Sequence, residues 1–371
     1  MLINRWRSSR TRYRGPISAP HPQSPLPKRG ARGENPQRWC PPTTARTNNV
    51  RLIFRTLVFL SVTVNLFAAP SKQKVILDCD LGGDIDDAFA MALVLTSPEF
   101  EVLGITLDHG LTEKRAQVAC KLLYQVGLDH IPVAVGRQTP NIVGKDKEPR
   151  PESPQFRWAD GFSRVKPIKT SARDFIIETL RKYPHEVILF GVAPVPNLAD
   201  VIEKDPEALK LAKHVYSMFG SFFMGYNGGP VPSAEWNVYA DVASAKRFAA
   251  SGAAITYAGL DVTTFVTLEE KQRLKLLMRQ SSLTNALCGL YALWGNETPV
   301  LYDAVAVGIA LWPDLFKMRA AHIRVIDGGF TVIDESQPSN CEIGVSINKD
   351  EFLKRLMGRL LEQNLGRAEV E

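Results

Sequence analysis

Five aspartates fall within ten residues of this 371-residue chain: Asp78, Asp80, Asp84, Asp86 and Asp87. They follow the apolar run Val75-Ile76-Leu77, which reads as a buried strand. They precede Ala88-Phe-Ala-Met-Ala-Leu-Val-Leu95, which reads as a helix opened by acids at its positive end. Carboxylates crowded at one strand's carboxyl edge repel one another. A bound cation relieves that repulsion, and clustered oxygen ligands suit a hard ion such as Ca²⁺ or Mg²⁺. For one or two of the acids the alternative is a helix cap facing water. An EF-hand loop does not fit, because its twelfth position would be Phe89 counted from Asp78, or Met91 counted from Asp80. A phosphatase with an Asp-x-Asp nucleophile stays open, although the sequence places no phosphate-binding lysine and threonine for it.

The elements that must hold these acids alternate. Strand-like runs lie at 74–79, 100–107, 131–135, 186–191, 213–219 and 254–258, with helical patterns between them at 86–97, 112–126, 172–183, 197–204 and 241–251. That alternation predicts an α/β fold: a mostly parallel open sheet with helices on both faces and a Rossmann-like core. Segments 268–293, 303–311 and 349–364 read as helices, and strand pairs are expected around 317–334. With no repeat and no linker, 70–371 reads as a single domain. Two long loops, 137–168 and 220–234, are rich in Gly, Pro and aromatic residues. Loops leaving the carboxyl ends of strands form the ligand crevice of such sheets. The acid cluster, Asp108-His109-Gly110 and Ala193-Pro-Val-Pro-Asn197 all leave at that edge.

Net charge is +6, but its source is local. Residues 1–55 hold 12 Lys and Arg against the single acid Glu34, so the remainder is net negative and gives no argument for nucleic-acid binding. Residues 1–50, rich in Pro, Arg, Ser and Thr, read as disordered or untranslated. Residues 51–69 follow the plan of a secretory signal: a basic start, an apolar run from Thr56 to Phe67 and Ala68-Ala69 at the exit. The run is too short for a stable membrane span. A secreted or periplasmic protein is therefore expected, with translation beginning near Val50 or Leu52. Cys79, Cys120, Cys288 and Cys341 make no Cys-x-x-Cys pair and read as buried thiols, with a disulfide left open.

The string Asp78-x-Asp80…Asp86-Asp87-Ala88 resembles the signature Asp-Thr-Asp-Pro-Gly-x-Asp-Asp-Ala of the inosine-uridine-preferring nucleoside hydrolase family. Cys79 stands for Thr, Leu81 for Pro, and two extra residues precede the paired acids. Leu103-Gly-Ile-Thr106, Pro132-Val-Ala-Val-Gly136, Ala193-Pro-Val-Pro-Asn-Leu-Ala199, Ala234-Glu-Trp-Asn-Val-Tyr-Ala-Asp241, Leu260-Asp-Val-Thr263 and Asp303-Ala-Val-Ala306 resemble later segments of the family in order. Together they span about 74 to 330 and are similar to a divergent, bacterial-type member.

The resemblance implies calcium-dependent hydrolysis of the N-glycosidic bond of ribonucleosides. It makes Asp80 both a Ca²⁺ ligand and the base for the attacking water. Asp87, Asp303 and the carbonyl of Pro196 complete the metal set; proline lacks the N–H but keeps the carbonyl. Asp86, Glu235 and Asn237 would bind the sugar hydroxyls, whereas Asp84, in the insertion, reads as an exposed loop acid. Two departures touch the base side: Tyr302 stands where family members often carry a His acid, and His109 where they carry Asn. Trp158, Trp236 and Trp294 are candidates to stack a base, with a core role as the alternative for each. The expected partner is a small-molecule nucleoside, and homo-oligomerisation is left open. The competing functions are a non-catalytic ribose- or calcium-binding module and a phosphatase using Asp78 or Asp80.

Overall fold

The computed structural model describes residues 71–140, 142–143, 148–149 and 152–367. The expected disordered segment 1–50, the expected signal 51–69 and part of the 137–168 loop lie outside the described residues. The order begins β1 (Gln73–Cys79), α1 (Asp86–Thr96), β2 (Phe100–Leu107), α2 (Thr112–Gln125) and β3 (Val133–Val135). A short ribbon, β4 (Ile142–Val143) with β5 (Glu148–Pro149), and a 3₁₀ turn at Pro154–Ala159 follow. Then come α3 (Ala172–Lys182), β6 (Val187–Gly191), α4 (Pro196–Lys204), β7 (His214–Met218), α5 (Trp236–Ala240) and α6 (Val242–Ala249). Next are β8 (Ile255–Ala258), α7 (Leu260–Thr263), α8 (Glu270–Arg279), α9 (Ser282–Trp294) and α10 (Tyr302–Leu311). The last elements are β9 (Phe316–Ala321), the hairpin β10 (Ile323–Ile326) with β11 (Phe330–Ile333), β12 (Cys341–Ile347) and α11 (Lys349–Glu362).

Eight strands form one sheet in the order β3-β2-β1-β6-β7-β8-β12-β9. It is parallel from β3 through β12, and only β9 runs antiparallel. The expected open α/β sheet is therefore present. Strand β1 alternates its side chains between two cores, which is why its apolar run is continuous. Val75, Leu77 and Cys79 pack with α1, α2, α9, α10 and α11, while Ile76 packs with α3, α4 and α6. Strand order reverses between β1 and β6, the switch point at which open α/β sheets form a crevice.

Two expectations are corrected. The segment 268–293 is two helices, not one. Gln280 turns back in the left-handed region at φ 52°, and Ser281 starts α9 with a reciprocal cap through Thr284. Strand β12, unanticipated in the sequence, fills the sheet between β8 and β9. The hairpin expected near 317–334 forms across Gly328 and Gly329, both at positive φ as a tight reversal demands. Among the described residues no helix is long and apolar enough to cross a membrane, and Cys79, Cys120, Cys288 and Cys341 are free thiols.

Candidate active site

Helices α1 and α10 explain where the acids go. Both are apolar nearly all round, so both are buried, and their first turns are carried inward. Asp86 and Asp87 open α1 and Asp303 opens α10. Oxygens of the three lie within 4.8 Å of one another, and each residue is at most 5% exposed. Helix N-termini favour negative charge, but burial works against it. Desolvation, then the neighbouring carboxylates, pushes Asp86, Asp87 and Asp303 well above the ordinary carboxylate range. Such a set must hold protons or a cation, and three carboxylates with no basic group among them fit a hard cation.

Asp80 leaves β1 beside this cluster. Its N–H donates to Asp87 Oδ1 at 3.0 Å, and its Oδ2 meets the Arg115 guanidinium at 3.2 Å. The expected ligands Asp87 and Asp303 thus come together with Asp86, a residue expected only on the sugar, while Asp80 carries an ion pair. Pro196 is buried at the first turn of α4. Val195 before it is held at φ 61°, a strained value for a β-branched residue and of the kind that gathers at functional turns.

A second layer fixes that turn. Asn197 Nδ2 donates to Asp78 Oδ1 at 2.8 Å and to the Leu107 carbonyl at 3.1 Å, and its N–H reaches both oxygens of Asp108 at 3.2 Å. The Thr106 hydroxyl donates to Asp78 Oδ1 at 2.5 Å. Burial, then the charge on Asp78, raises Asp108 well above its usual range, while burial brings Asp78 to about 6. Asp78 Oδ2 is buried with no hydrogen-bond partner among the described residues, beside the Asp108 carboxyl. Asp78 is therefore a buried support and not a wall of the pocket.

A 170 Å³ cleft is lined by Asp80, Asp86, Asp87, Glu235, Asn237 and Asp303, with Asp84, Tyr226 and Tyr302. Glu235 caps α5, accepting from the N–H groups of Gly220 at 2.9 Å, Asn237 at 2.8 Å and Val238 at 3.3 Å. Burial outweighs those three donors and raises Glu235 to about 7. Asn237 is anchored by Nδ2 to the Met218 carbonyl at 3.0 Å. Burial, then the Asp86 charge, pushes the Tyr302 phenol up to about 12.

A larger cleft of 620 Å³ shares Asp80, Asp84 and Trp236 with the first, so the two adjoin. Its walls include His109, Arg115, Phe156 and Trp294. His109 lines this cleft at φ 53°, with Nδ1 3.3 Å from the Thr139 hydroxyl. Trp158 is a correction: it packs against Gly289 of α9 under the Lys121 ammonium, 4.6 Å from its ring, and Phe156 takes the pocket side of the same turn. Asp84 is exposed, yet it lines both clefts. Gln155 pins its loop through the carbonyls of Gly83 at 3.0 Å and Asp84 at 3.1 Å.

Sequence reasoning did not single out Arg115 or Tyr226. The Tyr226 hydroxyl accepts from the Trp236 N–H at 2.8 Å, and its ring meets Tyr302 edge-on at 6.2 Å. Its place in the aromatic-rich loop 220–234 was the available signal.

The family model for inosine-uridine preferring nucleoside hydrolases matches residues 75–354. Uridine nucleosidase 1 of Arabidopsis thaliana is 31% identical over 70% of this chain and 80% of its own length. A plant nucleoside hydrolase structure superposes with a TM-score of 0.69 at 25% identity, covering 79% of this chain and all of that one. A purine-preferring ribonucleoside hydrolase from Gardnerella vaginalis shares the fold, with a TM-score of 0.67 at 24% identity over 78% of this chain and 98% of its own. Sheet, acid-lined cleft and family match agree: the chain belongs to the inosine-uridine preferring nucleoside hydrolase family and is an N-glycosyl hydrolase.

Proposed function

We propose that the adjoining clefts take a ribonucleoside, the sugar in the smaller and the base in the larger, and that water cleaves the bond between them. The observation that carries this reading is the single pocket in which Asp80, Asp86, Asp87, Glu235, Asn237 and Asp303 converge. Asp80 takes a proton from water, and the water oxygen forms its bond to the anomeric carbon. The bond from that carbon to the base nitrogen breaks, and its electron pair leaves with the base. The sugar passes through an oxocarbenium-like state, whose positive charge the surrounding carboxylates stabilise. Asp86, Glu235 and Asn237 hold the ribose hydroxyls. Asp80, Asp87, Asp303 and the Pro196 carbonyl would hold Ca²⁺, with the position of Asp86 supporting it as a further neighbour of the ion. Calcium bound there would supply the charge that lets these acids ionise and oxygen sites for water and ribose. Trp236, Trp294 and Phe156 are the surfaces on which a base would stack.

Incubation with inosine, uridine and a phosphate ester tests the reading. Free ribose from a nucleoside is the expected product; phosphate release, or no product from any of the three, contradicts it. Export rests on the signal-like 51–69 segment. The mature chain is expected to start near Ala69–Ser71, and N-terminal sequencing of native protein that finds residues 1–50 intact contradicts it.

A further inference from the structure

Arg115 is a buried cation in the wall of the larger cleft, paired with the acid Asp80. It lies in the first turns of α2, 6% exposed, and its guanidinium reaches three segments. Nε donates to the His109 carbonyl at 2.8 Å, and Nη1 to the Leu81 carbonyl at 3.2 Å. Nη2 lies 3.2 Å from Asp80 Oδ2, and the Phe156 ring lies 5.9 Å away. Leu81 belongs to the loop after β1, His109 to the loop after β2, and Phe156 to the 3₁₀ turn. One side chain thus ties together three segments that wall the larger cleft.

The geometry is specific to a guanidinium. Two carbonyls on separate loops fix the plane of the fork, so the remaining nitrogen meets Asp80 in one direction only. A lysine could balance the charge of Asp80 but could not span both carbonyls and the carboxylate in a plane. Packing is close on the far side too: a methyl group added at Gly83 would sit 3.3 Å from Nη1 and 3.4 Å from Asp80 Oδ2. The pair has little room to shift as a unit.

We propose that Arg115 is a positioning residue, holding the Asp80 carboxylate at the angle from which it meets the attacking water. It acts through Asp80 and not on the substrate. The inference rests on Asp80 being the base, and the test separates the two ideas.

Turnover of a ribonucleoside is measured for the wild type, Arg115→Lys, Asp80→Asn and the double variant, scaled to the folded fraction by near-ultraviolet circular dichroism. Arg115→Lys is expected to lower kcat about 10- to 100-fold, the usual penalty for a misplaced catalytic group, with KM within about threefold. In the Asp80→Asn background the same change should alter kcat by less than about twofold, because the group being positioned is already gone. Should Arg115→Lys not fold, Arg115→Gln, a planar donor without charge, takes its place with the same expectations. The proposal is overturned if kcat holds while KM rises, if kcat is unchanged, or if the two losses multiply in the double variant. Failure of the underlying reading looks different: Asp80→Asn alone would keep near-normal turnover, and the role of Arg115 would fall with it.

Discussion

Tyr302 stands at the mouth of α10, next to the metal-type cluster, where a proton donor for a departing base would be useful. Burial and the nearby Asp86 charge hold its phenol at about 12, so it is a poor acid at neutral pH. Its ring, set edge-on to Tyr226, instead lines one side of the smaller cleft. A nitrophenyl riboside departs without protonation and isolates the question. Tyr302→Phe should leave its cleavage nearly unchanged and slow inosine cleavage by less than about 100-fold, below the usual range for losing a general acid. A larger loss on inosine alone would make Tyr302 the acid. Equal losses on both substrates would assign it to the sugar or the metal.

Glu235 shows how an element and a site share one carboxylate. It caps α5, and its cap bonds to Gly220, Asn237 and Val238 tie that helix to the end of β7. Glu235→Gln puts an amide N–H₂ against those donors, so a cost of about 1–3 kcal/mol is expected from the buried mismatch. Thermal unfolding and nucleoside KM should therefore worsen together. A KM rise with unchanged stability would mean that the cap is not what holds this loop. At this scale the sequence was informative wherever an element is buried on all sides. The apolar run after Asp87 reads as a helix opened by acids, and the structure buries that helix together with Asp86 and Asp87. Arg115 was not legible, because one arginine in the amphipathic pattern of α2 reads as a solvated face until the loops at Leu81 and His109 fold around it. Trp158 failed for a related reason: residues two apart on a 3₁₀ turn, Phe156 and Trp158, face different ways, and composition cannot say which faces the pocket. Strand β12, Cys341-Glu-Ile-Gly-Val-Ser-Ile347, carries the period-two alternation of a strand, a legible signal that the reading passed over.

At the scale of the whole molecule, the sheet and its switch point were readable from alternation, whereas the partition into two clefts depends on loops that meet only in the fold. The acids also make stability depend on pH. Glu235 shifts from an ordinary 4.5 to about 7 on folding, and Asp86, Asp87 and Asp303 shift in the same direction. A raised folded pKa means that the neutral acid contributes stability fully present below its unfolded pKa and lost as pH rises through the folded one. For metal-free protein, Tm should therefore fall between about pH 5 and about pH 8, and added Ca²⁺ should reduce that fall by binding the folded state alone. A metal-free Tm that stays flat or rises over this window would contradict the buried-acid account.

The central claim is that this carboxylate pocket hydrolyses a ribonucleoside with Ca²⁺ in place. The most direct measurement is ribose release from uridine and inosine before chelation, after it, and after Ca²⁺ is returned to the same sample, with the bound metal counted at each stage. The account predicts one tightly held Ca²⁺, turnover lost with it and restored by its return. Full turnover from protein holding no divalent ion would contradict it.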